Sequence, residues 1–266
     1  MRIGLITSTH TRHRFVANAL ARDYALPLVL TEEKRPITAL ASDTADGNPL
    51  ILDYFRERAA AETWLLPEGQ AWDVEIGEIT QIPHGEINDP KWPERMRAAG
   101  VQLVAVFGSS ILREPWLTAF PGRMVNIHLG LSPYYRGAAT NFWPLYHEEP
   151  EYVGATIHLI NPGVDTGAIL RHARPRIKAD DTPHTIGNRA IRAGTLALCA
   201  ALREYAEEWV SPVPQWDEPG SRYCRNRDFT PEALGSLLDR WNKGLLPRLL
   251  LDFDRRRKAV PLIREL

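Results

Sequence analysis

The sequence predicts an α/β fold, with a Rossmann-like open and mostly parallel sheet and a small C-terminal extension. Apolar runs of strand length alternate with helical patterns through most of the chain, and short links join them. This alternation is typical of parallel strands connected by crossover helices. Beyond about residue 210 the composition becomes richer in Pro, Trp and Arg. We therefore expect one domain over 1–210 and an extension over 211–266.

The N-terminal third of the chain begins this alternation. Residues 2–7 and 25–30 are apolar runs of strand length on either side of a helical pattern at 11–24. Because the period of the apolar residues distinguishes the two kinds of element, strand–helix–strand is the expected order. A second helix is expected at about 50–63. The stretch from 66 to 93, which contains Pro, Gly and acidic residues, shows no clear pattern.

The middle of the chain supplies the strongest strands. A helix is predicted over 91–99, and Gly100 follows it at a position where glycine often ends a helix. The apolar runs at 101–108 and 123–128 predict two buried strands. The remaining predicted elements are strands at 153–160, 168–177 and 221–225, and helices at 184–209, 231–241 and 246–256.

Composition and charge restrict the function. Lys and Arg total 32 against 33 Asp and Glu, for a net charge of -1, whereas proteins that bind many nucleic-acid phosphates usually carry a basic excess. The basic run at 255–258 is interpreted as a solvated face. Cys199 and Cys224 build neither a disulfide framework nor a metal site. The N-terminus predicts a strand rather than a signal peptide, and no segment approaches the ~18 apolar residues of a membrane span. We expect a cytoplasmic protein that binds neither nucleic acid nor membrane.

Two polar residues lie on the strand predicted at 123–128. Residues two apart in a strand project from the same face, so Asn126 and His128 point together while Ile127 points away. Ligands of open parallel sheets bind beyond the carboxyl ends of the strands. Taken alone, such a pair is more often two hydrogen-bonded polar residues at a strand end. Asp165 precedes Thr-Gly, and an Asp at such a position, considered alone, is likewise more often an ordinary turn residue.

Three motifs in sequence order make the pattern specific. They are Asn126-x-His128, the loop LSPYYRG at 131–137, and AspThrGly at 165–167. Over about residues 100–178 the arrangement resembles the catalytic half of the N10-formyltetrahydrofolate-dependent formyltransferases. That family includes enzymes acting on glycinamide ribonucleotide, methionyl-tRNA and amino sugars. The resemblance implies N10-formyltetrahydrofolate as the formyl donor, and Asn126, His128 and Asp165 as the catalytic residues.

Formyl transfer requires side chains of these types. When an amine attacks the formyl carbon, negative charge develops on the formyl oxygen, and the Asn126 amide and a protonated His128 can stabilise it. The amine must lose a proton and the folate nitrogen must gain one. A carboxylate at Asp165 can hold His128 charged, bind a relay water and assist both transfers. This chemistry needs no metal and no covalent enzyme intermediate.

The resemblance also implies positions for the two substrates. The folate head group is expected against the segment that precedes the Asn-x-His strand and against the loop that leads into Asp165. The predicted donor contacts are Phe107, Gly108, Ser109, Ser110, Ile111, Leu112, Asn161, Gly163 and Val164. The predicted acceptor contacts are His10, Arg12, Tyr134, Tyr135 and Arg136. The alternative for the apolar and aromatic members of both sets is ordinary core packing.

The acceptor is inferred by elimination. The first loop, TSTHTRH at 7–13, lacks the glycines of a phosphate-binding loop, unlike the glycinamide ribonucleotide enzymes. Residues 213–266 are too few for the C-terminal barrel of the methionyl-tRNA enzymes. The small-molecule acceptor is therefore expected to be a nucleotide-linked amino sugar, with the extension contributing to its site or to a homodimer. A hydroxyornithine-type amine, glycinamide ribonucleotide and methionyl-tRNA stay open as acceptors, as does a non-catalytic folate- or nucleotide-binding relative.

Overall fold

A seven-stranded sheet forms the centre of the protein, whose computed structural model describes residues 1–33 and 47–265. In chain order the strands are β1 (Arg2–Thr7), β2 (Ala25–Glu32), β3 (Glu78–Ile82), β4 (Leu103–Val106), β5 (Met124–His128), β6 (Tyr135–Gly137), β7 (Ala155–Leu159), β8 (Ile169–Ala173) and β9 (Arg222–Cys224). The large sheet has the order β3-β2-β1-β4-β5-β7-β8, and β6 pairs separately with β9.

Nine α-helices accompany these strands in the described ranges. They are α1 (Thr11–Asp23), α2 (Pro49–Leu65), α3 (Lys91–Ala98), α4 (Glu114–Ala119), α5 (Trp143–Tyr146), α6 (Pro183–Ala206), α7 (Pro231–Asn242), α8 (Leu245–Leu249) and α9 (Phe253–Ala259). None of them combines the length and the apolar character that a membrane crossing requires.

The mostly parallel sheet predicted from the sequence is confirmed. Strands β1 to β5 run parallel to one another, and β7 and β8 are added at one edge, with β7 antiparallel to β5 and β8 antiparallel to β7. The opposite edge strand, β3, lies in the stretch at 66–93, which shows no clear pattern in the sequence. Four of its five side chains are exposed or half-buried, so it lacks the apolar run that marks the inner strands.

Alternating side chains of the inner strands fill two cores, one on each face of the sheet. On β1, Leu5 packs into the core that receives α1 and α6, whereas Ile6 packs into the core that receives α3 and α4. Ala105 and Val106 of β4 divide between the two cores in the same way. The sheet is thus covered by helices on both faces, which is the arrangement expected of parallel strands.

The C-terminal extension shares a third core with the rest of the chain. Leu234, Leu237 and Leu246 of the extension pack with Leu131 and Ile186 of the preceding domain, and β9 pairs in parallel with β6. One predicted element needs correction: the single helix at 246–256 is two helices, α8 and α9, separated by a turn. Asp252 occupies the position before α9 and pairs with Arg255, so the chain begins a new helix there.

His172 of β8 connects the end of the chain to the loop after β5. Its Nε2 lies 2.8 Å from the Ser132 carbonyl oxygen, and its Nδ1 accepts the Ile263 N–H at 2.8 Å. This pattern requires the neutral ring, because a protonated Nδ1 could not accept a hydrogen bond. Burial lowers the pKa of His172 to about 4.

Acidification is therefore expected to destabilise the fold through His172. Its pKa is near 6.5 in the unfolded chain and about 4 in the folded protein. Its stabilising contribution is complete above pH 6.5 and is lost as the pH falls toward 4, at a slope of up to ~1.4 kcal/mol per pH unit. Denaturant titrations at pH 7, 6 and 5 should show a shallower loss of unfolding free energy for His172→Gln than for wild type. Equal slopes would contradict this assignment.

Candidate active site

The candidate site lies where the strand order of the sheet reverses. β1 is followed on one side by β2 and β3, whereas β4 and β5 lie on its other side. Crevices at such points, beyond the carboxyl ends of the strands, are the usual ligand sites of open sheets. A cavity of about 1090 Å³ opens here, lined by residues that follow β1 and β4 and by the end of β5.

Asn126, His128 and Asp165 meet at the carboxyl end of β5. Nδ1 of His128 lies 3.3 Å from Oδ2 of Asp165, and Nδ2 of Asn126 lies 3.5 Å from Oδ1 of the same carboxylate. Ile127 between them is buried in the core on the other side of the strand. The three side chains converge as the sequence predicts, and all three line the cavity.

The main chain around Asp165 places its carboxylate. Asp165 lies in the loop between β7 and β8 and has a φ of 51°, in the left-handed region that few non-glycine residues adopt. Its Oδ2 also accepts the N–H of Gly137 at 3.0 Å. The LSPYYRG loop and the AspThrGly turn, separated in sequence, are thus joined by this hydrogen bond.

His128 makes contacts inside the protein through both ring nitrogens. Its Nε2 lies 2.9 Å from the Tyr135 carbonyl oxygen, which can only accept, and its Nδ1 faces the Asp165 carboxylate. Only the imidazolium can donate to both oxygens. Burial lowers the pKa of His128, and the negative charge of Asp165 opposes that shift. Both nitrogens are thus occupied, which corrects the expectation that His128 offers a free donor to the reacting oxygen.

Asp165 is held in its ionised form. Burial acts to raise the pKa of Asp165, but the charge of His128 and the Gly137 N–H hold it well below its usual range. Within residues 1–33 and 47–265, no group of three or more His, Cys, Asp or Glu side chains is arranged to hold a metal ion.

His158 of β7 belongs to the same cluster, although it was not among the site residues predicted from the sequence. Antiparallel pairing of β5 with β7 puts His158 directly opposite Asn126. Its Nε2 lies 3.1 Å from Nδ2 of Asn126 and 3.6 Å from Oδ1 of Asp165. Its Nδ1 lies 2.8 Å from its neighbour's carbonyl oxygen and donates there, which leaves Nε2 to accept from Asn126. The ring therefore fixes the orientation of the Asn126 amide.

The positions predicted to contact the donor all line the cavity. They are Phe107, Gly108, Ser109, Ser110, Ile111, Leu112, Asn161, Gly163 and Val164. Glu32 holds the loop after β4 in place. Its carboxylate accepts the N–H of Ser110 at 2.6 Å and the N–H of Gly85 at 3.0 Å. Asn161 closes the other loop, since its Oδ1 accepts hydrogen bonds from Thr166 and Gly163. Their contact with a folate remains a prediction.

The positions predicted to contact the acceptor divide into two groups. His10 and Arg12 line the cavity. Tyr134 and Tyr135 are instead buried in the third core, at 4% and 1% exposure, and Arg136 lines a smaller cavity of about 290 Å³. This corrects the predicted acceptor contacts of these three residues. The Tyr134 hydroxyl donates to the Pro261 carbonyl and the Tyr135 hydroxyl to Glu149, so both rings serve the packing of the extension and its neighbours.

The cavity has further lining residues beyond those predicted from the sequence. They include Tyr54, Phe55 and Arg58 of α2, His184 of α6, and Arg225 and Phe229 of the extension. The Phe229 ring lies 5.9 Å from both the Tyr54 and Phe55 rings. Arg225 and Phe229 thus bring part of the extension to the cavity, and its contribution to an acceptor site or a homodimer stays a prediction. The individual residues carry no motif that would have identified them.

Comparison with known proteins agrees with this site. Residues 80–202 match the family described as formyl transferase. A methionyl-tRNA formyltransferase of Anaeromyxobacter dehalogenans is 33% identical over 187 residues, which cover 62% of this chain and 59% of that enzyme. The match thus spans less than two thirds of the relative's length.

Solved structures share the fold. Glycinamide ribonucleotide transformylase 1 from Symbiobacterium toebii has a TM-score of 0.56 at 23% identity, covering 82% of this chain and 94% of its own. A formyltransferase from Anoxybacillus kamchatkensis, solved in complex with UDP-4,6-dideoxy-4-formamido-L-AltNAc and tetrahydrofolate, has a TM-score of 0.51 at 18% identity, covering 92% and 96%. The family match and the convergence of Asn126, His128 and Asp165 within it lead to one conclusion: residues 80–202 form a formyl transferase domain.

Proposed function

We propose that the protein transfers a formyl group from N10-formyltetrahydrofolate to the primary amine of a nucleotide-linked amino sugar. One observation carries the proposal. The Asn126, His128 and Asp165 cluster lies in a cavity of about 1090 Å³ whose walls differ in chemistry. This volume is at the upper end of the ~300–1,000 Å³ usual for ligand pockets, so the cavity has room for large substrates at the cluster.

The donor suits the wall formed by the loops after β4 and β7. Apolar Phe107, Ile111 and Leu112 can cover the face of a pterin, and main-chain groups of the two loops can meet its polar edge. Glu32 and Asn161 brace these loops from behind through the hydrogen bonds described above. A braced wall lowers the entropy cost of ordering the site when the donor binds.

The acceptor suits the wall formed by α1, α2 and the extension. Arg12 and Arg58 share a single buried carboxylate, that of Glu62, so this wall carries an excess positive charge. Guanidinium groups bind phosphate oxygens through strong charge-assisted hydrogen bonds, which favours a diphosphate here. The Tyr54, Phe55 and Phe229 rings nearby offer apolar faces for a base or a sugar.

The proposed reaction forms a bond between the acceptor nitrogen and the formyl carbon and breaks the bond from that carbon to N10. The 3.5 Å contact from Asn126 to Asp165 is at the limit of a hydrogen bond, so one amide hydrogen can turn to the formyl oxygen. The ionised Asp165 accepts the amine proton, directly or through a water. N10 takes up this proton from Asp165, directly or through the same water, as it leaves, so the proton count balances.

Methionyl-tRNA is the second candidate acceptor, because the Anaeromyxobacter dehalogenans relative described above bears that activity in its name. The net charge of -1 gives no general attraction to a polyanion. The two candidate acceptors also make different demands on the cavity. A nucleotide sugar must bind in the part that is lined by arginine side chains.

An acceptor panel tests the proposal. Wild-type protein and Asp165→Ala would be incubated with N10-formyltetrahydrofolate and UDP-, GDP- and dTDP-linked amino sugars, glycinamide ribonucleotide, methionyl-tRNA or hydroxyornithine, and tetrahydrofolate release followed. We expect wild-type turnover with one or more nucleotide sugars. Turnover with methionyl-tRNA alone would overturn the acceptor assignment and leave formyl transfer standing. No turnover with any amine would count against formyl transfer to these acceptor classes.

A further inference from the structure

A residue of the C-terminal extension contacts the main chain of the catalytic turn. Nε2 of Gln215 donates to the carbonyl oxygen of Asp165 at 2.7 Å and to that of Gly167 at 2.9 Å. The amide orientation follows from the partners, because two carbonyl oxygens can be met only by the NH2 group. One side chain therefore spans the turn that bears the Asp165 carboxylate.

The position of Gln215 is itself fixed by a short antiparallel bridge. The N–H of Ile169 donates to the Val213 carbonyl at 2.7 Å, and the N–H of Val213 donates to the Ile169 carbonyl at 2.8 Å. Ile169 begins β8, immediately after the turn. The first residues of the extension are thus held against β8, and Gln215, two residues after the bridge, reaches back over Asp165 and Gly167.

The conformation of Asp165 makes such support consequential. A non-glycine residue with a φ of 51° is sparsely populated in a free chain, so the turn needs outside contacts to keep it. In this conformation the carboxylate meets His128 and Gly137. The side chain of Asp165 is thus held by its neighbours in the catalytic cluster, and its main-chain carbonyl is held by Gln215.

We propose that Gln215 is a positioning residue for formyl transfer. It fixes the Asp165 peptide so that the carboxylate stays in reach of His128 and of the reacting amine, and it makes the extension part of the catalytic apparatus. The kinetic half of this proposal rests on the proposed function, whereas the geometric half does not.

Gln215→Leu tests the kinetic half, because it removes both donors at nearly constant volume. We expect kcat to fall by about 10- to 100-fold, since a misplacement of about 1 Å at a reacting group has effects of this size. The KM values of both substrates should stay within about 3-fold, because Gln215 contacts the turn and not the cavity wall. Gln215→Glu, which sets a carboxylate against two carbonyl oxygens, should lower kcat at least as much and serves if the leucine variant fails to fold.

Gln70→Leu is the matched control. Gln70 also donates its side-chain amide to a main-chain oxygen, that of Thr63 at 3.3 Å, but on the exposed surface after α2. Its substitution should leave kcat within about 2-fold of wild type. A similar loss of kcat in the Gln70 and Gln215 variants would overturn the proposal.

A readout independent of turnover separates this proposal from the proposed function. In a crystal structure of Gln215→Leu, or of Gln215→Glu, the distance from Nδ1 of His128 to Oδ2 of Asp165 should exceed its present 3.3 Å by about 1 Å or more. If wild type transfers no formyl group, the proposed function fails and this distance still decides the role of Gln215. An unmoved carboxylate would overturn that role.

Discussion

Asp165→Ala is expected to lower kcat by about 100-fold or more while the fold persists. The substitution removes the carboxylate that accepts the amine proton, and it removes the partner of His128 at 3.3 Å. Without that negative charge, burial lowers the pKa of His128 unopposed by its strongest counterpart. Steady-state kinetics with the acceptor found in the panel measure the loss, and circular dichroism checks the fold.

His128→Ala should lower kcat by a similar factor, and the double variant should lose little more than either single one, because the two side chains act as a unit. Asp239→Ala is a suitable control, since it removes an exposed carboxylate paired with Lys243 on α7, outside the cavity lining. Near-normal turnover of Asp165→Ala would remove the proton-transfer role assigned here.

The sequence predicts the reactive cluster because its members lie on local patterns. Asn126 and His128 share a strand face by the two-residue period, and the AspThrGly turn follows a recognisable apolar run. His158 could not be assigned in the same way. Its partnership with Asn126 depends on the register of β5 against β7, and that register is a long-range property. A histidine on a strand gives no indication of which residue it will face.

The residues that line the rest of the cavity were harder to predict from the sequence than the catalytic cluster. Phe229 and Arg225 reach the cavity because β9 pairs with β6, and neither short strand has an apolar run that reveals its partner. The same pairing explains why Tyr134 and Tyr135 were placed wrongly. Aromatic residues beside a catalytic motif suggest a ligand contact, but here they fill the core that the extension closes.

Gly137 joins the two parts of the molecule, so Gly137→Ala is expected to damage both stability and turnover. Gly137 has a φ of 94°, and a Cβ atom there would lie 2.1 Å from the carbonyl oxygen of Cys224. Because that contact is with main chain, β6 and β9 must separate. We expect the free energy of unfolding to fall by about 2–4 kcal/mol, from the left-handed backbone and the overpacking together. Denaturant titration measures this loss.

Gly244→Ala isolates the steric part of that effect. Gly244 has a similar φ of 83°, but no atom lies within 4 Å of the position its Cβ would take. Its substitution should therefore cost only the backbone contribution, about 1–2 kcal/mol, and leave kcat unchanged. Gly137→Ala should also lower kcat by about 10-fold or more, because moving β6 withdraws the N–H that Asp165 accepts at 3.0 Å. Equal losses of stability in the two variants, with turnover intact in both, would show that the junction of β6 and β9 does not support the catalytic turn.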